Sequence, residues 1–197
     1  CDSECGSTAV VDECDVCGGD GSLCDNWIIV PTDFNTIQEG IDSASPGDTI
    51  VVDGDALTIY TENIVLNKNV AVISRFHLDA VDANVWYDSI NLPVINADDS
   101  MIEISVDSAE LSGFGIMGFT GDEGIKVNAQ NVTLTHLDIY NNITNDAVLW
   151  LNGTVNSPDI STLKYIEIYN NIVNNTAPVR FDYGQGNYSY LNIYGNQ

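Results

Sequence analysis

The chain has 197 residues, 44% of them hydrophobic, and sets 29 acidic side chains against only Lys68, Arg75, Lys126, Lys164 and Arg180, a formal net charge of −24. That length and apolar content suit one domain with a real core plus a small appendage, which argues against a disordered chain. The charge argues against nucleic acid or an anionic membrane as partner, because five cations cannot replace the counterions around phosphate. Divalent cations fit it better, and excess acid also keeps a protein soluble in salty surroundings. No run of about 20 apolar residues is present to span a bilayer. No signal peptide is visible, so the chain reads as mature or truncated.

Residues 1–26 form the first unit. They hold all five cysteines, Cys1, Cys5, Cys14, Cys17 and Cys24, with seven acidic side chains and no basic one. Crowded cysteines in a short acidic segment point to disulfides in an oxidising, extracellular or cell-surface setting. The count is odd. One thiol is then free, paired with another chain, joined to a partner upstream of residue 1, or, at Cys1, lipid-modified. VDECDVCGGDGSLC resembles the DECGVCGGDGSSC unit of thrombospondin type 3-like repeats. The resemblance implies calcium held by Asp12, Asp15, Asp20 and Asp25, with Gly18, Gly19 and Gly21 letting backbone carbonyls curl inward. Zinc is the metal alternative, from the pair Cys14 and Cys17, but a second close pair is missing. The remaining alternative is a disulfide-pinned linker that binds nothing.

Residues 27–60 read strand, helix, strand: WIIV, DFNTIQEGIDSA, a PGD turn and TIVVDG. Phe34, Ile37, Ile41 and Ala44 fall on one helical face, and Thr36 with Glu39 matches a capping box. Such a helix would cover the open edge and interior of a stacked-strand core. VPTDFNTIQEGIDSASPGDTIVV followed by YTENIVLNKNVAVIS resembles the start of a right-handed parallel β-helix of the pectin-lyase-like superfamily. The resemblance extends more loosely to residue 197 and implies an all-β solenoid over residues 27–197. Ile64, Leu66, Val70 and Val72 supply inward positions. Residues 77–92 break the rhythm and read as a surface excursion anchored by Trp86 and Tyr87.

The rest of the chain repeats. LDIYNN at 137–142 returns as IEIYNN at 166–171 and LNIYGN at 191–196, and LSGFGIMGF at 111–119 aligns one step earlier. Ile116, Ile139, Ile168 and Ile193 are thus equivalent, at spacings of 23, 29 and 25 residues. Alternating apolar residues at such a period mark a β-solenoid of about six coils, with three strands of a sandwich as the alternative. Leu137 and Ile139 point inward, Asp138 and Tyr140 outward, and Asn141-Asn142 turns the corner. Asn142, Asn171 and Asn196 are expected to stack as an amide ladder, Asn also tolerating the left-handed backbone of a sharp corner. Asn131, Asn142, Asn152, Asn174 and Asn187 begin N-x-[ST] sequons and are candidate glycan sites. Thr133 and Thr135 suggest an ice-binding threonine array, for which no matching rank is visible.

The superfamily resemblance also raises polysaccharide lyase or hydrolase activity. Asp98-Asp99 is present, but G-H-G and R-x-K signatures are not. Arg75 and Arg180 show no acid cluster beside them, His77 and His136 read as surface residues, and no carboxylate pair can be singled out. Fold alone does not imply function. The expectation is therefore a non-enzymatic, secreted structural module of a surface protein, adhesin or fibre, with calcium as its ion. Self-association through the open last coil, head to tail, or neighbouring domains of a longer chain would supply partners, and a carbohydrate-binding or pectate-lyase-like β-helix is the alternative.

Overall fold

A computed structural model describes residues 27–82, 91–98, 100–152, 161–182 and 187–197, with the side chains of 79–82 outside the description. The Cys/Asp-rich unit at 1–26 and the residues Trp86 and Tyr87 therefore lie outside the described residues.

The strands are short, rich in Val and Ile, and all paired in parallel. After β1 (Trp27–Val30) and α1 (Ile37–Ser43), the first coil carries β2 (Thr49–Val52), β3 (Ile59–Thr61) and β4 (Val65–Leu66). The second carries β5 (Ala71–Ser74), α2 (Arg75–Asp82), β6 (Val94–Asn96) and β7 (Ile102–Ile104). In the third, β8 (Glu110–Met117) runs through both of the first two sheet positions and β9 (Ile125–Val127) takes the third. The fourth coil repeats this as β10 (Thr133–Tyr140), β11 (Ile143–Thr144) and β12 (Leu149–Asn152). The fifth does so as β13 (Thr162–Tyr169), β14 (Ile172–Val173) and β15 (Val179–Asp182), and β16 (Asn187–Tyr194) opens the sixth. The chain is a parallel β-solenoid of about six turns.

Registers bear out the repeat. Ile95 pairs with Ile116, Ile116 with Ile139, Ile139 with Ile168 and Ile168 with Ile193, in one unbroken column. A second column runs Ile50, Val72, Leu111, Leu134, Leu163 and Tyr188. A third runs Leu66, Ile104, Val127, Leu151 and Phe181. Members from Ile50 to Ile168 are buried, whereas Tyr188, Phe181 and Ile193 on the last turns are exposed. Each coil is thus stabilised by burying its apolar side against its neighbours, as stacked repeats require.

Corners are made by left-handed residues at fixed places. Gly113, His136, Tyr165 and Tyr190 occupy one corner, with φ of 85, 53, 56 and 55°. Gly118, Asn141, Asn170 and Gly195 occupy the next, with φ of 90, 56, 56 and 63°. The residue that takes the left-handed backbone is therefore the first of each Asn pair; the second keeps its side chain inward for the ladder.

The lid is shorter than its sequence pattern suggested. Thr36 caps α1, accepting from the Glu39 amide at 3.1 Å while Glu39 accepts from the Thr36 amide, so the expected capping box is present. Phe34 precedes the helix and is half-buried, whereas Ile37, Ile41 and Ala44 are buried. The Glu62 carboxylate of the first coil accepts from the amides of Ile37 and Gln38, at 3.0 and 2.8 Å, and Gln38 bonds the Val65 backbone. Among the described residues, no helix is long and apolar enough to cross a membrane.

Candidate functional site

Stacking in register brings equivalent side chains together every coil, so any site on this fold is built from columns. The inner one is the asparagine ladder. Asn142 Nδ2 donates to Asn171 Oδ1 at 2.9 Å, and Asn171 Nδ2 to Asn196 Oδ1 at 3.0 Å. Each oxygen also accepts the backbone amide one coil earlier: Phe119 to Asn142, Asn142 to Asn171 and Asn171 to Asn196, at 3.0, 2.9 and 2.9 Å. The Asn171 and Asn196 amides return a bond to the carbonyls of Ile139 and Ile168. The ladder expected from the repeat is present, and it is structural.

Two outer amide columns escaped the sequence reading. Asn174 donates to Asn145 and Asn145 to Asp122, each at 3.1 Å. Asn152 donates to Asn128 at 3.0 Å, and Asn128 to Glu103 at 3.5 Å. Their members share no motif, because loop lengths between equivalent positions differ from coil to coil. These bonds bear on the sequons. Asn142, Asn152 and Asn174 each have the nitrogen that a glycan would take engaged in a column, whereas Asn131 and Asn187 are exposed.

The second sheet presents outward rows. Tyr140, Tyr169 and Tyr194 stack with ring centroids 5.4 and 5.2 Å apart. At the neighbouring corner His136, Tyr165 and Tyr190 stack at 4.6 and 4.7 Å. Between these columns lie Asp138, Glu167 and Asn192, in register. Gly115 takes the equivalent place in β8, where the Tyr140 ring leans against it. Burial, with Asp138 adding to it, raises the Tyr140 phenol, and the same two causes with Tyr140, Tyr194 and Glu167 push Tyr169 up to about 12. Tyr194 donates to Glu167 at 3.1 Å. The strip thus offers protonated phenols beside the Glu167 carboxylate, a set able to hydrogen-bond hydroxyl-bearing or cationic ligands. Stacked rings show mainly their edges; Tyr190 and Tyr194 end the two columns and are exposed, Tyr190 the more so at 70%.

The histidines and arginines do not stand where the sequence reading put them. His77 is buried, because α2 folds back onto the solenoid and lays its ring on His136, 4.5 Å between centroids; His136 is half-buried beneath it. Neither is a simple surface histidine. Arg180 is flanked by Asp146 and Asp182, at 2.8 and 2.7 Å, and lies over the Trp150 ring with Lys126 on the same ring. Arg75 pairs with Asp53 at 3.0 Å. Arg180 thus sits between two carboxylates, Asp146 from the preceding coil and Asp182 two residues along, whereas Arg75 meets one, Asp53; both arginines are held in ion pairs. A threonine match also exists, since Thr133 is in register with Thr162, although Lys164 stands where Thr135 would need a partner.

Asp98 is exposed with φ 48°, and Asp99 lies outside the described residues. So do the calcium candidates Asp12, Asp15, Asp20 and Asp25 and the cysteines Cys1, Cys5, Cys14, Cys17 and Cys24. Among the described residues no group of three His, Cys, Asp or Glu is placed to hold a metal ion. Comparison of the chain with protein-family models, with curated proteins and with solved structures finds no match.

Proposed function

We propose that the chain is a structural module of an extracellular or cell-surface protein, a stiff β-solenoid carrying a calcium-binding Cys/Asp-rich unit at 1–26. The supporting observation is that amides, rings and ion pairs run from coil to coil and hold both arginines and three of the sequon asparagines, Asn142, Asn152 and Asn174. In this reading the pectin-lyase-like superfamily supplies the coil architecture, the thrombospondin-like unit supplies the ion site, and self-association or neighbouring domains extend the rod. Calcium added to the 197-residue protein, followed by calorimetry and thermal melting, tests it. Binding in the weak extracellular range, about 10⁻⁴ to 10⁻³ M, with a raised melting temperature is expected. Replacing Asp12, Asp15, Asp20 and Asp25 by Asn should abolish both, and an unchanged response in that variant would refute the assignment.

The acid-and-tyrosine strip favours a second reading, a carbohydrate-binding or carbohydrate-cleaving face at Glu167, Tyr194 and the open ring of Tyr190. Incubation with acidic polysaccharides separates the two: product release would make the chain an enzyme, and retention without turnover a binding module.

A further inference from the structure

We propose that α2 is docked on the solenoid through an acid-sensitive pair of stacked histidines, His77 on His136, and that acidification releases the helix. The seat for it is built into the first corner. Coils four, five and six each place a ring there, His136, Tyr165 and Tyr190, whereas coil three has Gly113. A side chain at Gly113 would collide with the Ser74 hydroxyl and with Cβ of His77. The gap in the ring column is filled from α2: Ser74 caps that helix, accepting from the His77 amide at 3.1 Å, and the His77 ring completes the stack.

Two imidazoles in buried contact tolerate charge poorly, and this setting lowers both. On β13, Lys164 stands 4.7 Å over the next ring, Tyr165, and Glu167 accepts from Tyr194. On β8, Glu110 accepts from Ser112, which bonds Thr135. On β10, Asp138 is buried and biases the tyrosines of the other column. On α2, Arg75 is held by Asp53, and the side chains of Asp79 and Asp82 lie outside the description; β5 carries no titratable side chain. Burial, reinforced by His77 and Lys164, lowers His136 to about 4, and burial lowers His77. A histidine depressed in the docked state favours docking above its ordinary value near 6.5. That contribution is lost as pH falls from there toward 4. For His136 alone the docking equilibrium drops by up to about 20-fold between pH 7 and pH 5.

Hydrogen exchange across residues 75–82, corrected for intrinsic rates, reads this directly. In the wild-type chain α2 should lose protection about 20-fold from pH 7 to pH 5 while β10 and β13 keep theirs. The double variant His77→Phe, His136→Tyr keeps two rings without titratable nitrogens and should hold its protection at both. Unchanged protection in the wild type, or an equal loss in the double variant, would overturn the proposal. Should the double variant fail to fold, NMR of the wild-type histidines decides. Titration below the ordinary range together with a shift at the Gly113 amide supports it, and ordinary titration without that shift refutes it.

Discussion

Asn171 shows how much one inward polar side chain can carry. It is fully buried, accepts from the amide and the side chain of Asn142, and donates to Asn196 and to the Ile139 carbonyl. Asn171→Ala strands an amide and a carbonyl in the core, each costing ~1 to 3 kcal/mol. Urea unfolding should therefore show a loss of about 3 to 5 kcal/mol. Asn174→Ala removes an exposed donor to Asn145 that water replaces, and should cost less than about 1 kcal/mol in the same assay. Equal losses at the two sites would mean that the inner ladder holds no privileged place. Asn171 was legible in the sequence because its motif occurs three times, with Ile-Tyr and the final Asn kept in each copy. The ion pair of Arg180 with Asp146 was not, because the two lie 34 residues apart and only coil stacking brings them to 2.8 Å.

At the scale of elements, the lid and the corners behave differently. Helix α1 has seven residues, too short to persist alone, and is held by its caps and by two buried isoleucines. Its amino end meets the Glu62 carboxylate as well as its own capping box, an arrangement that dipole and orphan amides both favour. Glu62→Ala should lower stability by about 1 to 2 kcal/mol and Ile41→Ala by about 2 to 5, both measurable by thermal melting. A neutral outcome for both would mean that α1 does not close the first coil. The capping box and the apolar face were readable from DFNTIQEGIDSA, but the helix start was not: Phe34 fits the same face and yet lies ahead of the cap. The corner rings were hidden for another reason. Bulky residues at positive φ carry a cost of order 1 to 3 kcal/mol, so a sequence pattern does not suggest them. Here the stack of His136, Tyr165 and Tyr190 offsets that strain.

For the whole molecule, charge works against compaction. A formal −24 on 197 residues, with few cations to balance it, means that folding draws like charges together. Raising sodium chloride from 0.01 M to about 0.5 M shortens the screening length from about 30 Å to below 8 Å. The unfolding midpoint should rise across that range, with no divalent ion present. A midpoint that falls would place the ion pairs at Arg180 and Arg75 above the general repulsion. The solenoid itself was plain in the repeat, since spacings of 23, 29 and 25 residues between equivalent isoleucines became direct neighbours in register.

In the second coil α2 follows Ser74 directly, yet Ile73 still meets Ser112 and, 20 residues after Ser74, Val94 still meets Gly115. Register survives the detour because each strand takes its alignment from the strands beside it and not from the length of the link between them. That corner is accordingly a natural graft point. A foreign peptide spliced in place of residues 83–90 would leave His77 above His136 and the buried Leu92 in the core, and the registers on either side should be kept.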